Sequence, residues 1–190
     1  MIKKHELVEK ILFDNKTINN KIIELAANVS EYYKDKSEPI ILIGILRGCL
    51  PFLTQLMLNL SIDCVIDFMY VESYLGQTQA MSKPNIKIDV FNNVKNRDLL
   101  IVEDIIDSGN SLLKITNHLQ ELGARSIKII TLLDKKCKRV TNIKTDWFGF
   151  EVPDHFLVGY GLDYQEMLRN LPYVGIADIN KIKLLENNKK

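Results

Sequence analysis

Apolar residues recur every three or four positions from Ile18 through Ile22, Leu25, Ala26 and Val29 to Tyr33. That period predicts an amphipathic helix over about residues 18–35, with Thr17 placed to cap it. Pro39 to Ile45 is instead a continuous, β-branched apolar run ending in Gly44-Ile45-Leu46-Arg47-Gly48. It predicts a strand buried on both faces that enters a tight turn. A second helix is expected from about Leu50 to Leu60, and a further strand from Ile62 to Val71. The polar stretch after it, including Gln77 to Pro84, is too long for a hairpin loop and predicts a lid or a binding loop. Ile86 to Val90 alternates apolar and polar residues, as an edge strand does.

The best-defined unit runs from Asp98 to Leu133: a strand (DLLIV), an acidic turn, a helix from about Ser111 to Leu122, Gly123 as its C′ residue, and a strand (SIKIITLL). This is a βαβ crossover, so its two strands should be parallel. Further short strands are expected at Trp147 to Phe150, Phe156 to Gly159 and Tyr173 to Ala177. Alternating strands and helices predict an α/β fold with a mostly parallel sheet, whose ligands sit at the carboxyl ends of the strands.

The 190 residues fit one domain, 1–190, and 46% hydrophobic content suffices for a core. Net charge is only +1, so a general nucleic-acid binder is excluded and any charge-driven chemistry must be local. Cys49, Cys64 and Cys137 are widely spaced, without a Cys-x-x-Cys pair or a nearby His. With charges recurring from Lys3 onward and no apolar run long enough for a membrane span, the expectation is a reduced, soluble, cytoplasmic protein. His5, His118 and His155 are scattered and receive no catalytic role.

The chemistry concentrates in Ile101-Val102-Glu103-Asp104-Ile105-Ile106-Asp107-Ser108-Gly109-Asn110-Ser111. Ser108 to Ser111 is small, contains glycine and opens a helix, so its free N–H groups and hydroxyls can cradle a phosphate, aided by the helix dipole. Glu103 and Asp104 would repel the same anion. The conflict resolves for a bifunctional ligand, with phosphate at the helix start, sugar hydroxyls at the carboxylates and a divalent cation screening the rest. A phosphorylated ribose satisfies both halves. The plainer alternative, an N-cap and a turn, does not account for three carboxylates in five residues. Neither Gly-x-Gly-x-x-Gly nor Gly-x-x-x-x-Gly-Lys-Ser/Thr occurs, which argues against dinucleotide and nucleoside-triphosphate sites.

The segment IVEDIIDSGNS resembles the phosphoribosyl-pyrophosphate signature of the type I phosphoribosyltransferases, in the form found in their hypoxanthine-guanine branch. GILRGCLPF resembles the family's pyrophosphate loop and DFMYVESY the strand leading into its mobile lid. LLDKK and DWFGFEVPDHFLVGYGLDYQEMLRNLPYVG resemble its purine pocket and carboxyl-terminal part, so the resemblance covers about Ile40 to Ala177. It implies an α/β fold with a mostly parallel twisted sheet flanked by helices, a small hood and a mobile lid loop. It also implies purine salvage: transfer of the phosphoribosyl group from 5-phosphoribosyl 1-pyrophosphate to N9 of hypoxanthine or guanine, giving IMP or GMP and pyrophosphate. Mg²⁺ would be the cofactor. Partners would be these small molecules, without nucleic acid or membrane, in a homodimer or homotetramer.

Carried onto this sequence, the resemblance implies that Glu103 and Asp104 hold the ribose hydroxyls and the Mg²⁺ shell. Asp107 is general base or acid at N7 of the purine, and Ser108, Gly109, Asn110 and Ser111 bind the 5′-phosphate. Arg47 and Gly48 present backbone groups to pyrophosphate beside the Leu46–Arg47 peptide, which is often cis in the family. Ser73 and Tyr74 lie on the lid. Lys135 donates to the purine O6, Phe156 stacks on the ring and Leu157 contacts the purine edge through its backbone. Asp163 supports a second Mg²⁺ through water beside the purine site, and Arg169 contacts pyrophosphate. Arg47 stands where many members carry Lys, and Asn110 where others carry Lys or Thr.

Each role competes with a plainer one. Lys135 could be a solvated surface lysine, Phe156 ordinary core, Tyr74 a packed loop aromatic, and Asp163 with Arg169 a surface ion pair. The run Lys135 to Arg139 reads most simply as a solvated turn beside the purine site. A nucleotide-responsive regulator binding RNA or DNA would need that run as a basic face. Among bases, a lysine donor disfavours adenine and leaves xanthine open.

Overall fold

The computed structural model describes residues 3–71 and 86–187. Helix α1 (Asn15–Tyr33) forms where the apolar period places it and buries Ile18, Ile22, Leu25, Ala26, Val29 and Tyr33. Its cap is Asp14 rather than Thr17: the Asp14 carboxylate accepts the Thr17 N–H at 2.8 Å. Thr17 thus supplies a backbone donor to the cap three residues before it.

Strand β2 (Ile40–Ile45) is buried along its whole length because it is flanked on both sides. It pairs in parallel with β3 (Cys64–Val71) and β5 (Asp98–Ile106). β6 (Ser126–Asp134) and β7 (Trp147–Glu151) extend the sheet in parallel beyond β5, while β4 (Ile86–Ile88) adds antiparallel to β3. The order is β4-β3-β2-β5-β6-β7. Alternation along the strands sorts the core: Ile40 and Leu42 pack with α1 and α2 (Leu50–Asn59), whereas Ile41 and Ile43 pack with Leu112, Ile115 and Leu119 of α3 (Asn110–Glu121). Each such fully buried aliphatic stabilises the fold by roughly 1.5–3 kcal/mol.

A second, antiparallel sheet of order β1-β9-β8 forms a small hood from β1 (Val8–Phe13), β9 (Val174–Ala177) and β8 (Leu157–Val158). Phe13 stacks on Phe150 of β7, ring centroids 4.0 Å apart, and so ties hood to main sheet. Helix α4 (Ile179–Asn187) closes the chain and buries Ile182. Neither β1 nor α4 is among the elements expected from the sequence. β5 also runs on to Ile106, which puts Glu103 and Asp104 inside the strand rather than in a turn, with Glu103 registered against Thr131 of β6.

The three cysteines are free, with Cys49 buried and Cys137 exposed. Among the described residues no helix is long and apolar enough to cross a membrane. The lid residues Ser73 and Tyr74 lie outside the described residues.

Candidate active site

Parallel strands bring their carboxyl ends to one edge of the sheet. There β2 delivers Leu46-Arg47-Gly48, β5 delivers Glu103 to Ser111, and β6 delivers Lys135. Asp104 lies against Gly48 so closely that a Cβ on residue 48 would come 1.6 Å from the Asp104 Oδ2. Burial pushes the Glu103 carboxyl well above its ordinary value, and the neighbouring Asp104 charge adds to the effect. Burial likewise raises Asp104, partly opposed by the Glu103 side chain, by the Ile105 N–H and by the positive charge of Arg169. Among the described residues neither carboxylate forms an ion pair.

After β5 the chain turns through Gly109 at φ +82°, a left-handed conformation that favours glycine, and enters α3. The Ser108 hydroxyl accepts the Asn110 N–H at 3.3 Å. The residue that caps α3 is Gly109, which has no side chain to cap the helix, and the Ser111 and Leu112 N–H groups of the first turn have no acceptor among the described residues.

Lys135 is not a solvated surface lysine. It is 7% exposed, and its Nζ lies 3.1 Å from the Asp107 Oδ1 and 3.1 Å from the His155 carbonyl oxygen. The run Lys135 to Arg139 is a solvated turn only in its middle: Lys136, Cys137 and Lys138 are exposed, while Lys135 is buried and Arg139 partly buried. Lys136 pairs with Glu151 and Lys138 with Asp154, both at 2.7 Å, and Arg139 with Asp134 at 2.5 Å. Beside Lys135, Phe156 is half-exposed rather than core and stands edge-on to Tyr164 at 6.3 Å. Leu157 turns its side chain into the core while its backbone pairs with Ile176.

On the other flank the Leu46–Arg47 peptide is cis. Arg47 reaches outward over Tyr70, and its Nη1 lies 2.9 Å from Glu166 Oε2. Arg169 binds the same Glu166 at 3.1 Å and Asp163 at 2.9 Å, and its Nη1 donates to the Gly161 carbonyl at 2.9 Å. A Cβ on Gly161 would sit 2.0 Å from the Gly48 carbonyl oxygen. Contacts therefore run continuously from Asp104 through Gly48, Gly161 and Arg169 to Asp163.

The structure thus brings the expected residues into two groups joined by β5, one around Asp107 and Lys135 and one around Asp104, Gly48 and Arg169. The Asp163 carboxylate is taken by Arg169 and by the Glu166 N–H at 2.9 Å. Among the described residues no group of three or more His, Cys, Asp or Glu side chains is placed to hold a metal ion, so Glu103 and Asp104 are the adjacent oxygen donors. Sequence reasoning missed Glu166, Gly161 and Arg139. The spacing Asp163-x-x-Glu166-x-x-Arg169 was a usable signal for the first; Arg139 was hidden inside an apparently solvent-facing basic run.

A family model described as Phosphoribosyl transferase domain matches residues 9–165. The chain is 44% identical over 173 residues to a hypoxanthine-guanine phosphoribosyltransferase of Bacillus subtilis, a match covering 91% of this chain and 94% of that one. A crystal structure of a hypoxanthine phosphoribosyltransferase from Staphylococcus aureus superposes with a TM-score of 0.87 at 37% identity, over 93% of this chain and 95% of that one. The hypoxanthine phosphoribosyltransferase of Trypanosoma cruzi, solved as a mutant complexed with the product IMP, gives 0.89 at 28% identity over 98% and 93%.

Proposed function

The chain belongs to the phosphoribosyl transferase family, and from that premise we propose that it is a purine-salvage enzyme making IMP and GMP from 5-phosphoribosyl 1-pyrophosphate and hypoxanthine or guanine. The observation that carries this reading is the buried Lys135 ammonium at the end of β6, held between Asp107 and the His155 carbonyl. An ammonium is a donor only, so it recognises an oxygen at C6 and opposes an amino group there. Phe156, half-exposed beside it, offers its face to the ring.

Purine N9 bonds to C1′ as the bond from C1′ to the pyrophosphate oxygen breaks, through a transition state with oxocarbenium character. The ring gains positive charge as N9 bonds, and Asp107 takes the N7 proton. Ser108 to Ser111 hold the 5′-phosphate on backbone donors. Arg169 and the backbone of Arg47 and Gly48 meet the departing pyrophosphate; because the Arg47 side chain is engaged with Glu166, Arg in place of Lys leaves that backbone role intact. Asn110 removes a cation from the phosphate loop and is expected to tune affinity rather than reaction type.

Glu103 and Asp104 suit Mg²⁺, which takes one or two carboxylates and completes its shell with water and substrate oxygens. Two desolvated carboxyls, neither of them in an ion pair among the described residues, are a fitting donor set. When bound, Mg²⁺ would supply charge neutralisation at the pyrophosphate. Asp163, through Arg169, fixes the pyrophosphate side and is assigned to a second, water-mediated Mg²⁺.

Residues 1–190 are read as one catalytic domain, supported by a core that includes both Val174 of the hood and Leu42 of the main sheet. Ser73 and Tyr74 are assigned to the lid, the protein to the cytoplasm and its assembly to a homodimer or homotetramer. The alternative of a nucleic-acid-binding regulator loses its basic face, since Lys136, Lys138 and Arg139 are each committed to an acid.

The test offers 5-phosphoribosyl 1-pyrophosphate, Mg²⁺ and each of hypoxanthine, guanine, xanthine and adenine, and measures nucleotide formation. Conversion of hypoxanthine or guanine with adenine untouched is expected. No conversion of any purine overturns the enzyme reading.

A further inference from the structure

Behind the phosphate loop runs the segment 139–141, and it grips two consecutive loop carbonyls. Arg139 Nε donates to the Asp107 carbonyl at 3.1 Å. The Ser108 carbonyl accepts both the Val140 N–H at 3.1 Å and the Thr141 hydroxyl at 3.2 Å. Across a trans peptide the carbonyl and the following N–H point in opposite directions. With both carbonyls turned to the segment, the N–H groups of Ser108 and Gly109 must face away from it. Among the described residues neither has an acceptor within the protein. They join the N–H groups of Ser111 and Leu112 in the first turn of α3, which likewise have no acceptor among the described residues.

The grip is close and rigid. A Cβ on Gly109 would fall 2.3 Å from the Thr141 Oγ1 and 3.1 Å from the Arg139 Cδ, so the loop can lie against this wall only as glycine. Arg139 itself is fixed by two further contacts, Nη1 to the Ile143 carbonyl at 2.9 Å and Nη2 to Asp134 Oδ1 at 2.5 Å. Asp134 is fully buried and immediately precedes Lys135. The guanidinium fork thus spans the Asp107 peptide and the end of β6, a geometry a single ammonium cannot reproduce.

We propose that Arg139 and Thr141 are positioning residues that aim the Ser108 and Gly109 N–H donors at the phosphate of the substrate. This deepens the reading of Ser108 to Ser111 as the 5′-phosphate cradle and rests on it. Arg139 touches neither substrate nor reacting atoms; it acts through the orientation of two peptide planes. A residue that only held the fold together would affect all ligands alike, whereas these two should affect the phosphate selectively.

The experiment measures binding of IMP and of inosine, which lacks the phosphate, by calorimetry to the full chain and to its R139M, R139K and T141V variants, with thermal melting as a check of folding. R139M is expected to weaken IMP about 10- to 100-fold while inosine moves less than about 2-fold. R139K should fall between R139M and the parent protein, and T141V should weaken IMP about 3- to 10-fold. If R139M does not fold, T141V, which exchanges one hydroxyl for a methyl, carries the test alone. Equal loss for IMP and inosine, or unchanged IMP affinity in a folded variant, overturns the proposal. Should the parent protein bind IMP no more tightly than inosine, the phosphate-cradle reading itself falls, an outcome distinct from failure of the variants.

Discussion

Residue 48 is glycine because a carboxylate occupies the space a side chain would need, 1.6 Å from where the Cβ would stand. Gly48→Ala must therefore move either Asp104 or the loop that carries residue 48. Displacements of about 1 Å in a reacting geometry lower rates about 100-fold, so kcat/KM should fall by about that factor while the melting temperature changes little. Steady-state kinetics beside a thermal melt separate the two. Asp107→Asn should lower kcat by about 100- to 10,000-fold with the KM for 5-phosphoribosyl 1-pyrophosphate held within several-fold. Near-normal turnover would remove Asp107 from proton transfer. Glu103, Asp104 and Asp107 stood out in the sequence because three carboxylates fall within five residues at a strand end, whereas Lys135 was singled out only through the family resemblance. The burial of Lys135 was not legible. It is set by the His155 carbonyl and by Asp107, distant positions that no local pattern announces.

Strand β5 divides its work between its ends. Towards the carboxyl end it carries Glu103 and Asp104; at the other, buried Asp98 accepts hydrogen bonds from Arg125 at 2.9 and 3.1 Å and from Ser126 at 2.5 Å. The Arg125 hydrogen bonds hold the Asp98 carboxyl well below the usual carboxylate range against the opposing effect of burial, with Ser126 and Lys36 helping. A carboxyl whose folded value is depressed stabilises the native state above its unfolded value, about 3.9, and that stabilisation is lost as pH falls through the folded value. Asp98→Asn should therefore reduce stability by roughly 3 kcal/mol at pH 7, and the deficit should shrink below about pH 4, as read from urea melts. Turnover at neutral pH should be unchanged in the folded variant. The βαβ unit beginning at Asp98 was the most legible part of the sequence, since each of its elements is locally consistent and its strands are neighbours. β1 was not: register shifts interrupt its alternation, and its partner β9 lies at the far end of the chain. α4 buries Ile182, too little for an apolar period to stand out.

At the scale of the whole molecule, a chain of net charge +1 must hold a highly anionic substrate. The answer lies in opposed electrostatic designs at the two edges of one sheet. The Asp98 edge is fully paired and stabilises the fold; the opposite edge keeps Glu103 and Asp104 desolvated and without an ion pair among the described residues, with the Asp104 charge raising Glu103 further. Their carboxyls sit above ordinary values, so the native state loses stability as pH rises from the ordinary carboxylate range towards those raised values, the opposite sign to Asp98. On the proposed reading, a cation and the substrate would complete the charge at this edge. Replacing both acids, Glu103→Gln with Asp104→Asn, should raise the ligand-free stability by about 1–2 kcal/mol while abolishing turnover. Mg²⁺ with 5-phosphoribosyl 1-pyrophosphate should raise the melting temperature of the parent protein strongly and that of the double variant little, because ligand stabilisation follows affinity for the native state. A double variant no more stable than the parent would show that the two carboxylates are tolerated at no expense to the fold, and the division of labour between the sheet's two edges would have to be abandoned.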